Sequence, residues 1–321
     1  MSLDDKIQNS SLDKITIPGA HDAGMGEIEK CSDYAGEYVA KTQNKSFEQM
    51  LNIGVRYFDL RPIIAEDGNM YLGHFSWIGQ DINIGYAFTL RNEGCFGYSV
   101  DEMFDDVKAF ISDSSQNNRE VVILKFSHFM NFKKYDNERS HFELEDFRQL
   151  EEKINDKLNG YLVLDNTNFL KTQISVLTED GARVIVTFDV DVDGYDRPYE
   201  GIYSQTSLRL YDNYSDASSY SPMETDQFDK MDKYSFSKYF VLSWTITQNK
   251  NQAIGCMILG KVGDFFGHGC ESIERLANKA NEHLLKIQEH CKKTKKYPNV
   301  IYTDYVSEDQ TKVAISINSY R

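Results

Sequence analysis

Eight short runs rich in β-branched and aromatic residues, each ending in polar or charged residues, constrain this chain more than any other feature. They are KITIPGAHD (14–22), GVRYFDLR (54–61), NMYLGH (69–74), VVILKF (121–126), RVIVTFD (183–189), SLRLYD (207–212), YFVLSWT (239–245) and NVIYTD (299–304). Helical patterns lie between many of them. SVDEMFDDVKAFISD places Val100, Met103, Phe104, Val107, Phe110 and Ile111 on one face, and ESIERLANKANEHLLKIQEHCKK is helical for most of its length. Segments 75–98 and 190–236, rich in Gly and aromatics or in Asp, Ser and Tyr, read as long loops. Strands alternating with helices predict a parallel sheet. Eight of them predict an α/β fold closed into a distorted (β/α)8 TIM-type barrel, one domain over residues 1–321.

Reactive groups in such a barrel collect at the carboxyl ends of the strands. His21, Asp59, Arg61, His74, Lys125 and Asp304 fall at or just past those ends, so closure would bring them to one mouth. In the first run the Pro18-Gly19 pair is expected to end the strand and leave His21 and Asp22 just beyond its tip. A His-Asp pair in a loop is ordinarily a solvated or turn-capping pair. Asp59 and Arg61 carry more weight, because they interrupt a stretch that otherwise reads as buried, where unpaired ions are costly.

Charge narrows the partners. The chain has 35 Lys+Arg against 50 Asp+Glu, a formal charge of −15. That argues against nucleic acid and against electrostatic docking on anionic lipid. No apolar run approaches the roughly 18 residues of a membrane span, and the amino terminus lacks the basic and apolar regions of a signal peptide. Five cysteines (Cys31, Cys95, Cys256, Cys270, Cys291) show no CxxC and no zinc spacing, so at least one thiol stays unpaired within the chain. Cys256 and Cys270 bracket a glycine-rich stretch and are a candidate pair.

Two histidines, an arginine and flanking aspartates suit attack of a hydroxyl on a phosphodiester. One imidazole accepts the nucleophile's proton, the other supplies one to the leaving oxygen, and a carboxylate sets each tautomer. A guanidinium holds the phosphate and its developing charge bidentately, and no metal is needed.

ITIPGAHDAG, AKTQNKSFEQMLNIGVRYFDLRP, MYLGH, REVVILKFSH and NVIYTDYVSED resemble, in order, the motifs of the X domain of bacterial-type phosphatidylinositol-specific phospholipase C. The likeness is close over the first 130 residues and looser beyond. It implies a distorted barrel that cleaves phosphatidylinositol to diacylglycerol and a cyclic inositol phosphate, without a cofactor. It further implies His21 as general base oriented by Asp304, and His74 as general acid partnered by Asp22. Arg61 would bind phosphate beside Asp59, with Lys125, Asp212 and Tyr214 on the substrate side. Acidic metal ligands stand at the Arg61 and Lys125 positions in the calcium-dependent eukaryotic relatives, so the resemblance is to the metal-free type. It also implies a secreted monomer acting at a membrane surface. The chain departs from the family at GHFS around the acid histidine and at TFDVDVDG after the fifth run.

Alternatives are the same chemistry on a glycosyl-phosphatidylinositol or glycerophosphoinositol, or a non-catalytic lipid-binding barrel. Phe75, Trp77, Ile78, Tyr86 and Phe88 would form an apolar rim beside His74, or pack against the barrel. Residues 189–200, DVDVDGYDRPYE, match EF-hand spacing, but they follow a strand and carry Pro198 where a helix should begin, so an acidic strand-end loop is expected. His128, His141, His268, His283 and His290 are not at metal-ligand spacings.

Overall fold

A computed structural model of the protein describes residues 3–33, 35–78, 91–113, 119–134, 141–164, 169–190, 199–262 and 270–321. Eight strands, all paired in parallel, form one sheet. Their order is Ile202–Ser204, Arg183–Phe188, Val121–Phe126, Tyr57–Leu60, Ile17–Ala20, Val300–Thr303, Tyr239–Ser243 and Leu210–Asp212. Side chains on a strand alternate between faces, and the burial pattern shows what each face does. Inward residues from all eight strands, Ile17, Tyr57, Ile123, Ile185, Tyr203, Leu210, Val241 and Val300, share one hydrophobic cluster. An open sheet could not gather its two edges into one core, so the sheet is curled into a barrel. Among the described residues no backbone ladder joins the edge strands Ile202–Ser204 and Leu210–Asp212; the seam is closed by side chains.

The outward residues divide into two cores. Phe58, Leu124, Phe126 and Val186 pack with helices Val100–Ser112 and Leu144–Leu158. Phe240, Leu242, Trp244 and Ile301 pack with helices Tyr220–Tyr234, Ile273–Asn281, Leu285–Thr294 and Glu308–Ile317. Burial on both faces explains why these strands read as unbroken apolar runs. Helix Val100–Ser112 begins at a capping box between Ser99 and Glu102 and buries Val100, Met103, Phe104, Val107 and Ile111. Phe110 is only half-buried, under the Arg56 guanidinium at 4.6 Å.

Three expectations are corrected. NMYLGH is not a barrel strand: Met70–Ile78 pairs antiparallel with Pro62–Ile64 and Arg91–Ser99 in a separate five-stranded sheet, here called the annex. Only residues 65–69 separate Pro62–Ile64 from it, and a parallel crossover needs a dozen or more residues. Ile202–Ser204 takes the eighth barrel place, three residues hidden in a polar stretch. Much of segment 75–98 is therefore strand rather than loop, and segment 190–236 contains two strands and helix Tyr220–Tyr234. The long pattern after residue 270 is two helices, and of its histidines His290 pairs with Asp232 at 2.8 Å while His283 packs on Tyr220. Cys256–Cys270 is a disulfide, as is Cys31–Cys95, while Cys291 is free and buried.

Candidate active site

The first strand runs through Pro18 and Gly19 rather than ending there. Proline's missing N–H costs no bond on the side of Tyr57–Leu60, because bonding to that neighbour begins with the Pro18 carbonyl, which accepts from the Arg56 N–H at 3.0 Å. Gly19 lets the strands close beneath His21, since a Cβ there would meet Val300 Cγ1 at 2.8 Å and Tyr302 Cβ at 3.0 Å. Continuing the inward register of five strands, by two residues from Tyr57, Ile123 and Leu210 and by four from Ile17 and Val300, gives Asp59, Lys125, Asp212, His21 and Asp304. The alternation that fills the barrel with apolar groups thus ends, at its carboxyl rim, in a ring of ionisable ones.

His21 Nδ1 lies 2.7 Å from Asp304 Oδ1, and the ring stacks on Tyr302 at 5.2 Å. Arg61 Nη2 lies 2.9 Å from His21 Nε2. Guanidinium only donates, so Nε2 accepts and the proton of the neutral ring is on Nδ1, facing Asp304. Burial pulls the His21 pKa down, but the charge and hydrogen bond of Asp304 outweigh it and leave the pKa above its ordinary value.

Beneath this pair is a web of charges. Asp59 accepts from Lys125 Nζ at 2.9 Å, Ser127 Oγ at 3.1 Å and the Asp22 N–H at 3.3 Å. Burial opposes its ionisation, yet Lys125 and Arg61 hold its pKa well below the usual carboxylate range. Lys125 also donates to Asp212 Oδ2 at 3.0 Å, and Asp212 Oδ1 accepts from the Tyr302 hydroxyl at 2.9 Å. The Lys125 ammonium is buried and stays charged because Asp212, Asp59 and Asp189 surround it. Asp189 stands 3.9 Å from Lys125, and burial pushes its pKa up to about 6. That residue of the EF-hand-like stretch faces an ammonium, and positions 191–198 lie outside the described residues.

His74 reaches the site from the annex. Its Nδ1 lies 3.2 Å from the Ala40 carbonyl oxygen and 3.4 Å from Asp22 Oδ2. Asp22, fully buried with φ 42°, is also 3.3 Å from Arg61 Nη1. Neither carboxylate oxygen has an aligned hydrogen bond among the described residues, so these are charge contacts. Burial pushes Asp22 up to about 7, and burial with the nearby Arg61 and His21 charges pushes His74 down to about 3. Burial thus favours a protonated Asp22 beside a neutral His74.

The mouth therefore unites His21, Asp22, Asp59, Arg61, His74, Lys125, Asp212 and Asp304. Tyr214 stands apart: its side chain is 49 % exposed and its carbonyl accepts from Lys230. Phe75 packs against Phe96 and Phe132 at 4.9 and 4.8 Å on the far face of the annex rather than forming a rim. The side chains of Trp77 and Ile78, and Tyr86, Phe88 and His268, lie outside the described residues. Sequence reasoning missed Tyr302, Ser127 and Asp189; an inward count along each strand would have found Tyr302 and Asp189. It also set aside His128, whose Nδ1 lies 3.1 Å from Ser127 Oγ beside the same web.

No family model matches the chain. Mouse PI-PLC X domain-containing protein 3 is 28 % identical over 162 residues, 43 % of this chain and 44 % of the relative. The human protein of that name is 27 % identical over the same length. The chain thus spans less than half the length of the curated relatives it matches. Phosphatidylinositol-specific phospholipase C from Staphylococcus aureus superposes with a TM-score of 0.62 at 15 % identity, covering 99 % of this chain and 96 % of that one. The Listeria monocytogenes enzyme gives 0.56 at 14 % identity, covering 97 % and 95 %. The sequence kinship is with X-domain proteins, and the fold is the TIM-type barrel of the bacterial phospholipases.

Proposed function

We propose that this chain, an X-domain relative built on the bacterial phospholipase barrel, cleaves phosphatidylinositol to diacylglycerol and inositol 1,2-cyclic phosphate by metal-independent acid–base catalysis. One observation carries the reading. Arg61 lies between the histidines, 2.9 Å from His21 Nε2 and 3.3 Å from the Asp22 carboxylate that neighbours His74. A phosphate on that guanidinium has a base on one side and an acid on the other.

In this mechanism the inositol 2-hydroxyl gives its proton to His21 Nε2 as its oxygen bonds to phosphorus, and Asp304 stabilises the imidazolium. The phosphorus–glycerol oxygen bond breaks, and that oxygen takes a proton from His74. A singly charged diester enters and a singly charged cyclic diester leaves, which suits one arginine. Bound phosphate also offsets the Arg61 charge that helps to depress His74, so the imidazole becomes able to hold the second proton that the leaving oxygen takes. Five carboxylates, Asp22, Asp59, Asp189, Asp212 and Asp304, face only Arg61 and Lys125 as fixed cations among the described mouth residues. That balance favours a neutral polyol head group over a polyphosphorylated one. Asp212 and Lys125 form the substrate-side wall. Two disulfides fit an oxidising compartment, and hence secretion.

Phosphorus NMR of the products from phosphatidylinositol, its phosphorylated forms, a glycosyl-phosphatidylinositol and phosphatidylcholine tests the reading. The expected first product from phosphatidylinositol is the cyclic 1,2-phosphodiester, in excess EDTA. An open phosphomonoester formed directly, or activity lost to EDTA and restored by calcium, overturns it.

A further inference from the structure

The segment Ala40–Gln43 touches both halves of the site, and nothing in the proposed mechanism uses it. The Ala40 carbonyl oxygen lies 3.2 Å from His74 Nδ1. The Thr42 hydroxyl donates to the Asp22 carbonyl at 2.8 Å, and the Thr42 carbonyl accepts from the Tyr305 N–H at 2.7 Å. Gln43 is wholly buried. Its Nε2 donates to the carbonyls of His21 at 2.8 Å and Thr303 at 3.0 Å, and its Oε1 accepts from the Val306 N–H at 3.0 Å. One amide thus bridges the strand tip that carries the base and the tip that carries Asp304, the carboxylate orienting it.

We propose that Gln43 is a positioning residue that sets the separation of His21 from Asp304, and that its segment keeps the acid and base in one register. The proposal rests on the acid–base reading above. A buried amide with all three polar bonds made to backbone is a rigid spacer, because releasing any of them strands a buried polar group. At the strand tips the last backbone bond runs from the His21 N–H to the Thr303 carbonyl at 3.1 Å, and the amide, donating to that same carbonyl and to the His21 carbonyl, braces the two backbones where the ladder ends.

The protein contains its own control. Gln310, equally buried, donates from Nε2 to the Gly19 and Ile301 carbonyls at 2.9 and 2.8 Å. It bridges the same two strands one inward layer below the histidine. A merely structural amide should behave alike at either level.

Two measurements on Gln43→Ala and Gln310→Ala decide the matter: phosphatidylinositol cleavage, and imidazole 15N NMR of His21 through a pH titration, each set beside thermal unfolding. Gln43→Ala should lower kcat by roughly 10²-fold, as about 1 Å of misplacement does, with KM little changed. The His21 ring should lose its fixed Nδ1–H tautomer and titrate closer to its ordinary value. Gln310→Ala should lose comparable thermal stability while keeping kcat and the His21 spectrum. Equal loss of stability in both, with the His21 spectrum unchanged in both, overturns the proposal. Should Gln43→Ala not fold, Gln43→Glu keeps the shape and sets a carboxylate against the two carbonyls; an unaltered His21 spectrum there also overturns it. If the unaltered protein does not cleave the lipid, the function reading fails while the NMR comparison still decides the role of Gln43.

Discussion

The two histidines proposed as base and acid each face a carboxylate, yet they stand on different scaffolds and in different electrostatic states. His21 follows a central barrel strand and has a 2.7 Å bond to Asp304 that raises its pKa. His74 is on the antiparallel annex, its Nδ1 bonded to a backbone carbonyl, with a dry Asp22 beside it and its pKa depressed. The difference teaches that, on the proposed mechanism, the barrel alone preorganises the base, whereas the acid depends on an added sheet and on an anion that offsets Arg61.

The comparison breaks most visibly at the histidines. His21→Ala is expected to lose roughly 10²–10⁴-fold in rate on every substrate, whereas His74→Ala should lose as much on the lipid but little on an ester whose leaving group needs no proton. Rates on phosphatidylinositol and on a nitrophenyl phosphodiester check this; equal losses on both substrates for His74→Ala would show that it is not the acid. Arg61→Lys should follow, with a severe loss despite the retained charge, because an ammonium cannot reproduce the planar fork facing His21 and Asp22 together. Steady-state rates for Arg61→Lys and Arg61→Ala measure how much the geometry contributes.

Next comes the annex. Cys95 lies directly opposite His74 in the sheet and is tied to Cys31. Cys31→Ser with Cys95→Ser should cost about 2–5 kcal/mol of stability, the usual toll for a native disulfide. Its rate loss should appear on the lipid and not on the activated ester, since only the acid's sheet is loosened. Denaturant unfolding and the same pair of substrates test both parts.

The smallest effect is the pH dependence of stability. Asp22 titrates near pH 7 folded against an ordinary 3.8, so its ionisation opposes folding. A raised pKa contributes stability that is present below about pH 4 and lost as pH rises through about 7. Asp22→Asn escapes that loss, so its melting temperature relative to the unaltered protein should climb between pH 4 and pH 8, by roughly 2–4 °C per kcal/mol recovered. A difference that stays flat across that range would show that Asp22 ionises freely.

Much of the site was legible because strand ends carry a residue-level signal. Asp59, Arg61, Lys125 and Asp304 stand out as charges in apolar runs, and a parallel barrel sends such ends to one rim. The annex was not legible in that way. NMYLGH has the alternation of any half-buried strand; of its two partners Pro62–Ile64 is only five residues away, but Arg91–Ser99 lies across residues 79–90. Ile202–Ser204 is too short to show a period at all, and the Cys31–Cys95 pairing depends on two strands meeting 64 residues apart.

By itself the sequence determined the α/β alternation, the residues placed at strand tips and the chemistry those residues can perform, because each follows from neighbours in the chain. Only the tertiary structure decided which of them carry protons. Burial with no aligned donor raises Asp22, the same burial beside a guanidinium lowers His74, and the Asp304 contact raises His21. Desolvation and Coulomb energies depend on distances between groups tens to hundreds of residues apart in the chain, and those distances exist only after the barrel and its annex have closed around them.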